Sequence, residues 1–181
     1  MYVQKDGLNL NLAASNIKLP HELGNLFNSN DYCDIKLKVE DTIFEAHKIV
    51  LAARSDYFRA LLYSGMRETN SDVVEINEAK PDAFKLLLRY IYTGKISLRN
   101  EKEEAIIDLL SLVHQYGLLE LQRSISDYLE SILEIKNVCS IYDISSLYQL
   151  KSLQETSARF IDKNCAILTK QNAFMNLSGV S

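Results

Sequence analysis

Hydrophobic and polar residues alternate strictly over Asp34–Glu40 (DIKLKVE). Ile35, Leu37 and Val39 fall on one side of an extended chain, with Lys36, Lys38 and Glu40 on the other, which predicts a strand with one buried face. Asp41-Thr42 predicts a short turn into Ile43–Ala46, completing a hairpin. The period then changes. His47–Ala53 (HKIVLAA) is a compact apolar run of helical type, and Ser55 predicts the N-cap of a second helix that Gly65 ends. Val73–Ile76 is long enough for one short strand. Lys80-Pro81-Asp82 opens an amphipathic helix with proline in its first turn, and Phe84, Leu87, Leu88 and Ile91 share its apolar face. Thr93-Gly94 stops that helix, and Lys95–Leu98 predicts a further small strand.

Glu101–Gln115 predicts a helix whose acidic first turn suits the positive helix end and whose core stripe is Ile106, Leu109, Leu110 and Val113. Gly117 ends it, and Leu118–Leu133 follows with Leu121, Ile125, Tyr128, Leu129 and Ile132 inward. From Glu134 only helical stretches recur: Val138–Leu147, Leu150–Cys165 and one near Asn172–Leu177. The last residues carry no cap, which reads as a helical array cut short. At the other end, Met1–Ala14 has no period and reads as a loose tail. Ile17, Leu19, Leu23, Leu26 and Phe27 keep helical spacing. Their helix either starts at a Ser15 cap and runs through Asn28, or starts at Pro20 with Leu19 as a staple from outside it.

Composition narrows the function classes. The 181 residues carry 20 basic and 24 acidic side chains, a net charge of −4, which argues against nucleic acid or an anionic membrane as partner. At 47% hydrophobic and 24% charged the chain is of globular type, and no apolar run approaches the length of a membrane span. Three widely spaced cysteines, Cys33, Cys139 and Cys165, do not read as a disulfide framework, and they predict reduced thiols in the cytosol or nucleus. His21, His47 and His114 are isolated, so no pair has zinc-ligand spacing, and neither metal nor cofactor is expected.

Phosphate-loop, dinucleotide, nucleophile-elbow and zincin motifs are absent, so no catalytic residue is assigned. His47, at a strand-to-helix junction, reads as a buried histidine whose ring satisfies backbone groups. His114 reads as an exposed or half-buried helix residue. Tyr90, Tyr92 and Tyr116 lack the basic stripe that a nucleic-acid stacking surface needs, so they read as core edges.

The order of features over Asp34–Gly94 then becomes specific. It runs DIKLKV, TIFEAHKIVLAARSDYFRALLYSGMRE, VEI and AFKLLLRYIYTGKI. This closely resembles the BTB/POZ domain, with its D-[IV]-x-[LF] strand, F-x-A-H-[KR]-x-[IV]-L-A-A junction, Y-F-R-x-[LM] helix and F-x-x-[LM]-L-x-[YF]-[IV]-Y-[TS]-G helix. The resemblance covers about Leu19 to Leu133. It implies an α+β fold, a small mixed sheet covered by helices, followed by a truncated all-α segment similar to the start of a BACK domain. The domains expected are a tail at 1–14, the BTB/POZ domain at 15–133 and the BACK start at 134–181. Arg59–Glu68, Asp108–Gly117 and Asn137–Cys139 are similar to one subgroup of the family, whose full-length members carry discoidin-type domains after BACK.

The resemblance also implies roles for particular positions. Family members commonly dimerise through the helix before the first strand and the apolar helix after the hairpin, which here points to Leu19, Leu23, Leu26 and Val50. Adaptors that recruit cullin-3 carry a hydrophobic-x-Glu motif that Met66-Arg67-Glu68 fits, and Tyr116 lies where members also touch the cullin. A thioether fills an irregular groove well, and a carboxylate accepts hydrogen bonds at its rim. The implied function is a non-catalytic homodimeric adaptor that bridges the cullin-3 N-terminal domain to a substrate of unknown identity, held by domains outside this chain, in the cytoplasm or also the nucleus. Two other readings stay open: recruitment of corepressors through a charged pocket formed by Asp34 and Lys48, and a plain dimerisation scaffold.

Overall fold

The computed structural model describes residues 22–29, 31–63 and 72–168. They divide into two compact units between Leu112 and Val113, with the boundary inside one helix. The expected tail, Ser15, Leu19, Pro20, Gly65 and the helix near Asn172–Leu177 lie outside the described residues.

The first unit opens with helix α1, residues 22–29, and continues into strands β1 (Ile35–Val39) and β2 (Thr42–Ala46). Helices α2 (Lys48–Arg54) and α3 (Asp56–Tyr63) follow, then strand β3 (Val73–Glu75) and helix α4 (Pro81–Thr93). The sheet order is β2-β1-β3, with β1 antiparallel to β2 and parallel to β3. The fold is α+β, a small mixed sheet clothed by helices. The alternation in β1 decides which side the helices cover. Ile35, Leu37 and Val39 are at most 2% exposed, so a one-residue slip would place three apolar side chains in water. The other face carries cross-strand ion pairs, Lys36 3.7 Å from Glu45 and Lys38 2.9 Å from Glu75, beside the exposed Ile43 and Val73. Such exposed pairs add little stability.

Two local readings of the sequence need correction. The hairpin turn falls on Glu40-Asp41, because Thr42 already pairs with Val39. Glu40 takes the left-handed conformation there, φ 51°, and closes the chain in two residues. Nor is Lys95–Leu98 a strand. No ladder includes it among the described residues, and without a ladder an extended segment gains none of the hydrogen bonds that define a strand. Instead Leu98 is buried and its carbonyl accepts the Glu101 N–H at 3.1 Å.

Helix boundaries follow simple chemistry. The Ser55 hydroxyl accepts the Phe58 N–H at 3.4 Å at the start of α3. Pro81 sits at the first position of α4, where its missing N–H costs nothing. Gly94 ends α4 in the left-handed region, φ 66°, and donates its N–H to the Tyr90 carbonyl at 2.7 Å. Phe84, Leu87, Leu88 and Ile91 are at most 1% exposed and form the centre of this unit's core with Leu37, Leu51 and Phe58. Helix α5 (Glu103–Gln115) crosses the unit boundary, and its stripe of Ile106, Leu109, Leu110 and Val113 is buried as its period predicts.

The second unit contains helices α6 (Leu119–Ser131), α7 (Val138–Leu147) and α8 (Lys151–Leu168). Val138, Cys139 and Leu168 form a buried cluster against which Leu133, Ile135, Phe160 and Ile161 pack. The buried Asn137 side chain organises the turn from α6 into α7. Its Oδ1 accepts the Glu134 N–H at 2.8 Å, and its Nδ2 donates to the Ile132 carbonyl at 3.0 Å. His114 is exposed, with its ring stacked on Tyr148 at 4.4 Å.

Candidate protein-interaction surfaces

His47, the residue that precedes α2, is only 6% exposed and joins three parts of the first unit. Its ring Nε2 lies 2.7 Å from the Asp31 carbonyl and its Nδ1 lies 2.7 Å from the Tyr92 hydroxyl. A carbonyl only accepts, so Nε2–H donates to Asp31. In the neutral ring Nδ1 then accepts from the Tyr92 O–H. The His47 backbone N–H donates to the same Tyr92 oxygen at 2.9 Å. A lone histidine among core residues is thus a satisfied junction, as its sequence context predicts, with no nucleophile activated beside it. Its neighbour Cys33, 4.0 Å from Nε2, has its thiol pKa pushed up by burial and then by the carboxylates of Glu45, Asp34 and Asp31. That favours the protonated thiol over the reactive thiolate.

Burial raises the Tyr92 phenol from its ordinary value near 10 to about 12. In the unfolded chain this group ionises near its ordinary value, so its contribution to stability is complete below about pH 10 and is lost as the pH climbs to about 12. Denaturant midpoints measured from neutral to strongly alkaline pH are expected to fall over that interval. Roughly 2 kcal/mol of the fall should be missing in Tyr92→Phe. An identical alkaline fall in the variant would show that Tyr92 does not sense the interior.

The charged pair has a structural assignment as well. Asp34 is exposed, and its Oδ1 accepts the Lys48 backbone N–H at 2.7 Å. It supplies the cap that the His47 side chain does not, since that ring is occupied elsewhere. The Lys48 side chain is half-buried.

The remaining site residues are distributed as follows. Leu23 and Leu26 on α1 are half-buried, and Leu19 lies outside the described residues. Val50 is 9% exposed and belongs to the core, whereas its neighbour Ile49 is 69% exposed. The helical turn decides this: α2 aims Val50, Leu51 and Ala52 inward and leaves Ile49 as the apolar side chain in water. Sequence reasoning missed Ile49, because in the apolar run Ile49–Ala53 more than one helical face fits the pattern. Met66, Arg67 and Glu68 lie outside the described residues, in the segment that follows α3. Tyr116, in the second unit, is 4% exposed, so its ring is packed inward, while Leu119 at the start of α6 is 61% exposed. Among the described residues no group of three His, Cys, Asp or Glu side chains is placed to hold a metal.

Comparison with known proteins adds the decisive observation: the profile of the BTB/POZ domain matches residues 23–133. The chain belongs to the BTB/POZ domain family. It is 44% identical over 161 residues to human (Homo sapiens) BTB/POZ domain-containing protein 9, a match that covers 88% of this chain and 26% of the relative. The rat (Rattus norvegicus) protein of that name matches to the same extent, and the Drosophila melanogaster one is 42% identical over 157 residues, covering 87% of this chain and 22% of the relative. The chain therefore spans about a quarter of the length of these relatives. BTB/POZ domains are protein-interaction modules, so exposed apolar side chains such as Ile49 are candidate contacts rather than packing defects.

Proposed function

We propose that this BTB/POZ chain acts as a homodimeric adaptor that brings the N-terminal domain of cullin-3 to a substrate held elsewhere in a longer protein. The observation that carries the reading is Met66-Arg67-Glu68, a hydrophobic-x-Glu motif directly after α3, within the family match. Met66 is the groove-filling side chain, Glu68 the rim acceptor, and Arg67 the spacer between them. The buried Tyr116 supports the turn that presents Leu119, and the helices after residue 134 are the start of a BACK domain that widens the contact. Self-association runs through Leu19, Leu23 and Leu26 of the α1 region together with Ile49 of α2, and Val50 acts beneath it as support. Two cullin sites per dimer would raise avidity for a multivalent substrate. This reading places the protein in the cytoplasm or nucleus.

The corepressor reading draws less support, since Asp34 is committed to the Lys48 N–H. Calorimetric titration of the 181-residue chain with the cullin-3 N-terminal domain tests the proposal. Binding near one cullin per protomer is expected, weakened about a hundredfold or more in Met66→Asp, because a few anchored side chains dominate such interfaces. No heat of binding from a folded wild-type dimer, or equal affinity in the variant, would overturn the adaptor reading.

A further inference from the structure

We infer that the Tyr92 hydroxyl, acting through His47, is a positioning group for the self-association surface: it sets α1 and α2 in the mutual arrangement a second copy of the chain recognises. The inference rests on the dimeric reading above and deepens it. Both elements assigned to that surface meet around the Tyr92–His47 pair: α1 through the Tyr92 ring and the His47 Nε2, α2 through the Tyr92 hydroxyl. On the α1 side, the Phe27 ring packs on Tyr92 with centroids 5.4 Å apart. The chain leaving α1 is pinned a second time, where the Asp31 carbonyl accepts from His47 Nε2 at 2.7 Å. Asp31 itself is tied back to α1, its N–H donating to the Ser29 hydroxyl at 3.3 Å. On the α2 side, His47 is the N-cap residue, and both its backbone N–H and its Nδ1 are engaged by Tyr92. One phenol thus accepts from the backbone that starts α2 and donates to the ring that holds the end of α1.

Fit is tight around this junction. A Cβ on Gly24 would stand 3.2 Å from Thr93 Cγ2, so α1 lies close against the end of α4. The next residue, Gly94, takes the left-handed cap that ends α4 immediately after Tyr92 and Thr93. The Tyr92 side chain is 3% exposed, so water cannot replace its hydrogen bonds if the hydroxyl is removed. Tyr92→Phe keeps the ring, and with it the Phe27 contact, but leaves the His47 N–H and Nδ1 without their partner. The imidazole then loses one of the two bonds that orient it, and the Nε2–H that holds the chain leaving α1 is less firmly aimed. Leu23 and Leu26 on one element and Ile49 on the other are no longer held to one arrangement. Binding must then supply the ordering that the free protomer had already achieved.

The dimer dissociation constant, measured by sedimentation of the full chain at a series of concentrations, tests this. Tyr92→Phe is expected to raise it about tenfold, the scale of one buried hydrogen bond converted at 1.4 kcal/mol per decade. Ile106→Val, a core truncation on α5, should lower the melting temperature by a similar amount and leave the dimer constant unchanged. Phe27→Leu, which removes the ring contact from the other side, should weaken the dimer in the same direction. Imidazole nitrogen resonances give an independent readout. In the wild type His47 should show a protonated Nε2 and an unprotonated, hydrogen-bonded Nδ1, and the Nδ1 signal should move in Tyr92→Phe. An unchanged dimer constant in Tyr92→Phe would overturn the inference while leaving the dimer in place. An equal weakening by Ile106→Val would also overturn it, as a mere loss of stability. A wild type that is monomeric throughout would overturn both the inference and the dimeric reading on which it rests.

Discussion

Phe84→Ala is expected to lower the stability of the first unit by about 3–5 kcal/mol, the usual cost of removing a buried phenylalanine. Phe84 is 0% exposed, sits in the first turns of α4, and packs at a tilt on Phe44 of β2 with ring centroids 5.4 Å apart. Deleting the ring loses its transfer free energy and opens a cavity between helix and sheet that backbone hydrogen bonds prevent from closing fully. Against a total stability of roughly 5–15 kcal/mol for a domain, this is a large fraction. Urea unfolding followed by the far-ultraviolet signal would measure it. A loss below about 1 kcal/mol would mean that α4 does not pack on the sheet as described.

The second large effect concerns association. Ile49→Asp is expected to weaken the proposed dimer by about a thousandfold while each protomer stays folded. A symmetric interface presents the same position twice, so one substitution removes two apolar contacts and buries two carboxylates. Because Ile49 is 69% exposed in the single chain, the protomer loses almost nothing. Val50→Asp should behave in the opposite way. At 9% exposure Val50 belongs to the core, and a carboxylate there should unfold the first unit before any interface is tested. Sedimentation and circular dichroism on the two variants separate these outcomes. A folded Ile49→Asp dimer of unchanged affinity would remove α2 from the interface.

Local chemistry was legible wherever a single periodicity or a single residue type carried it. The period-two run from Ile35 to Val39 announces a strand and its buried face, because any other register exposes three apolar residues. Ser55, Pro81 and Gly94 announce helix ends, because each has one conformational or hydrogen-bonding property that suits those positions. His47 could be read as a buried, satisfied side chain because nothing reactive accompanies it in sequence. Its partners could not be named: Tyr92 lies 45 residues away and Asp31 16 residues away, on elements joined only by folding.

Where several solutions shared one local pattern, tertiary structure made the choice. Lys95–Leu98 is as strand-like in sequence as Val73–Glu75, yet only the latter finds the free edge of β1, pairing in parallel with Lys36, Leu37 and Lys38. Ile49 and Val50 are equally apolar neighbours, and the packing of α2 alone decides which becomes core and which becomes surface. Glu40 carries no turn signature, but the register that buries Leu37 and Val39 leaves Glu40-Asp41 as the two residues that must reverse the chain. Family membership and fold class follow from residue types in order, since they are sums of local preferences. The assignment of exposed side chains, and with it the interaction surface, depends on contacts between distant segments that no local pattern encodes.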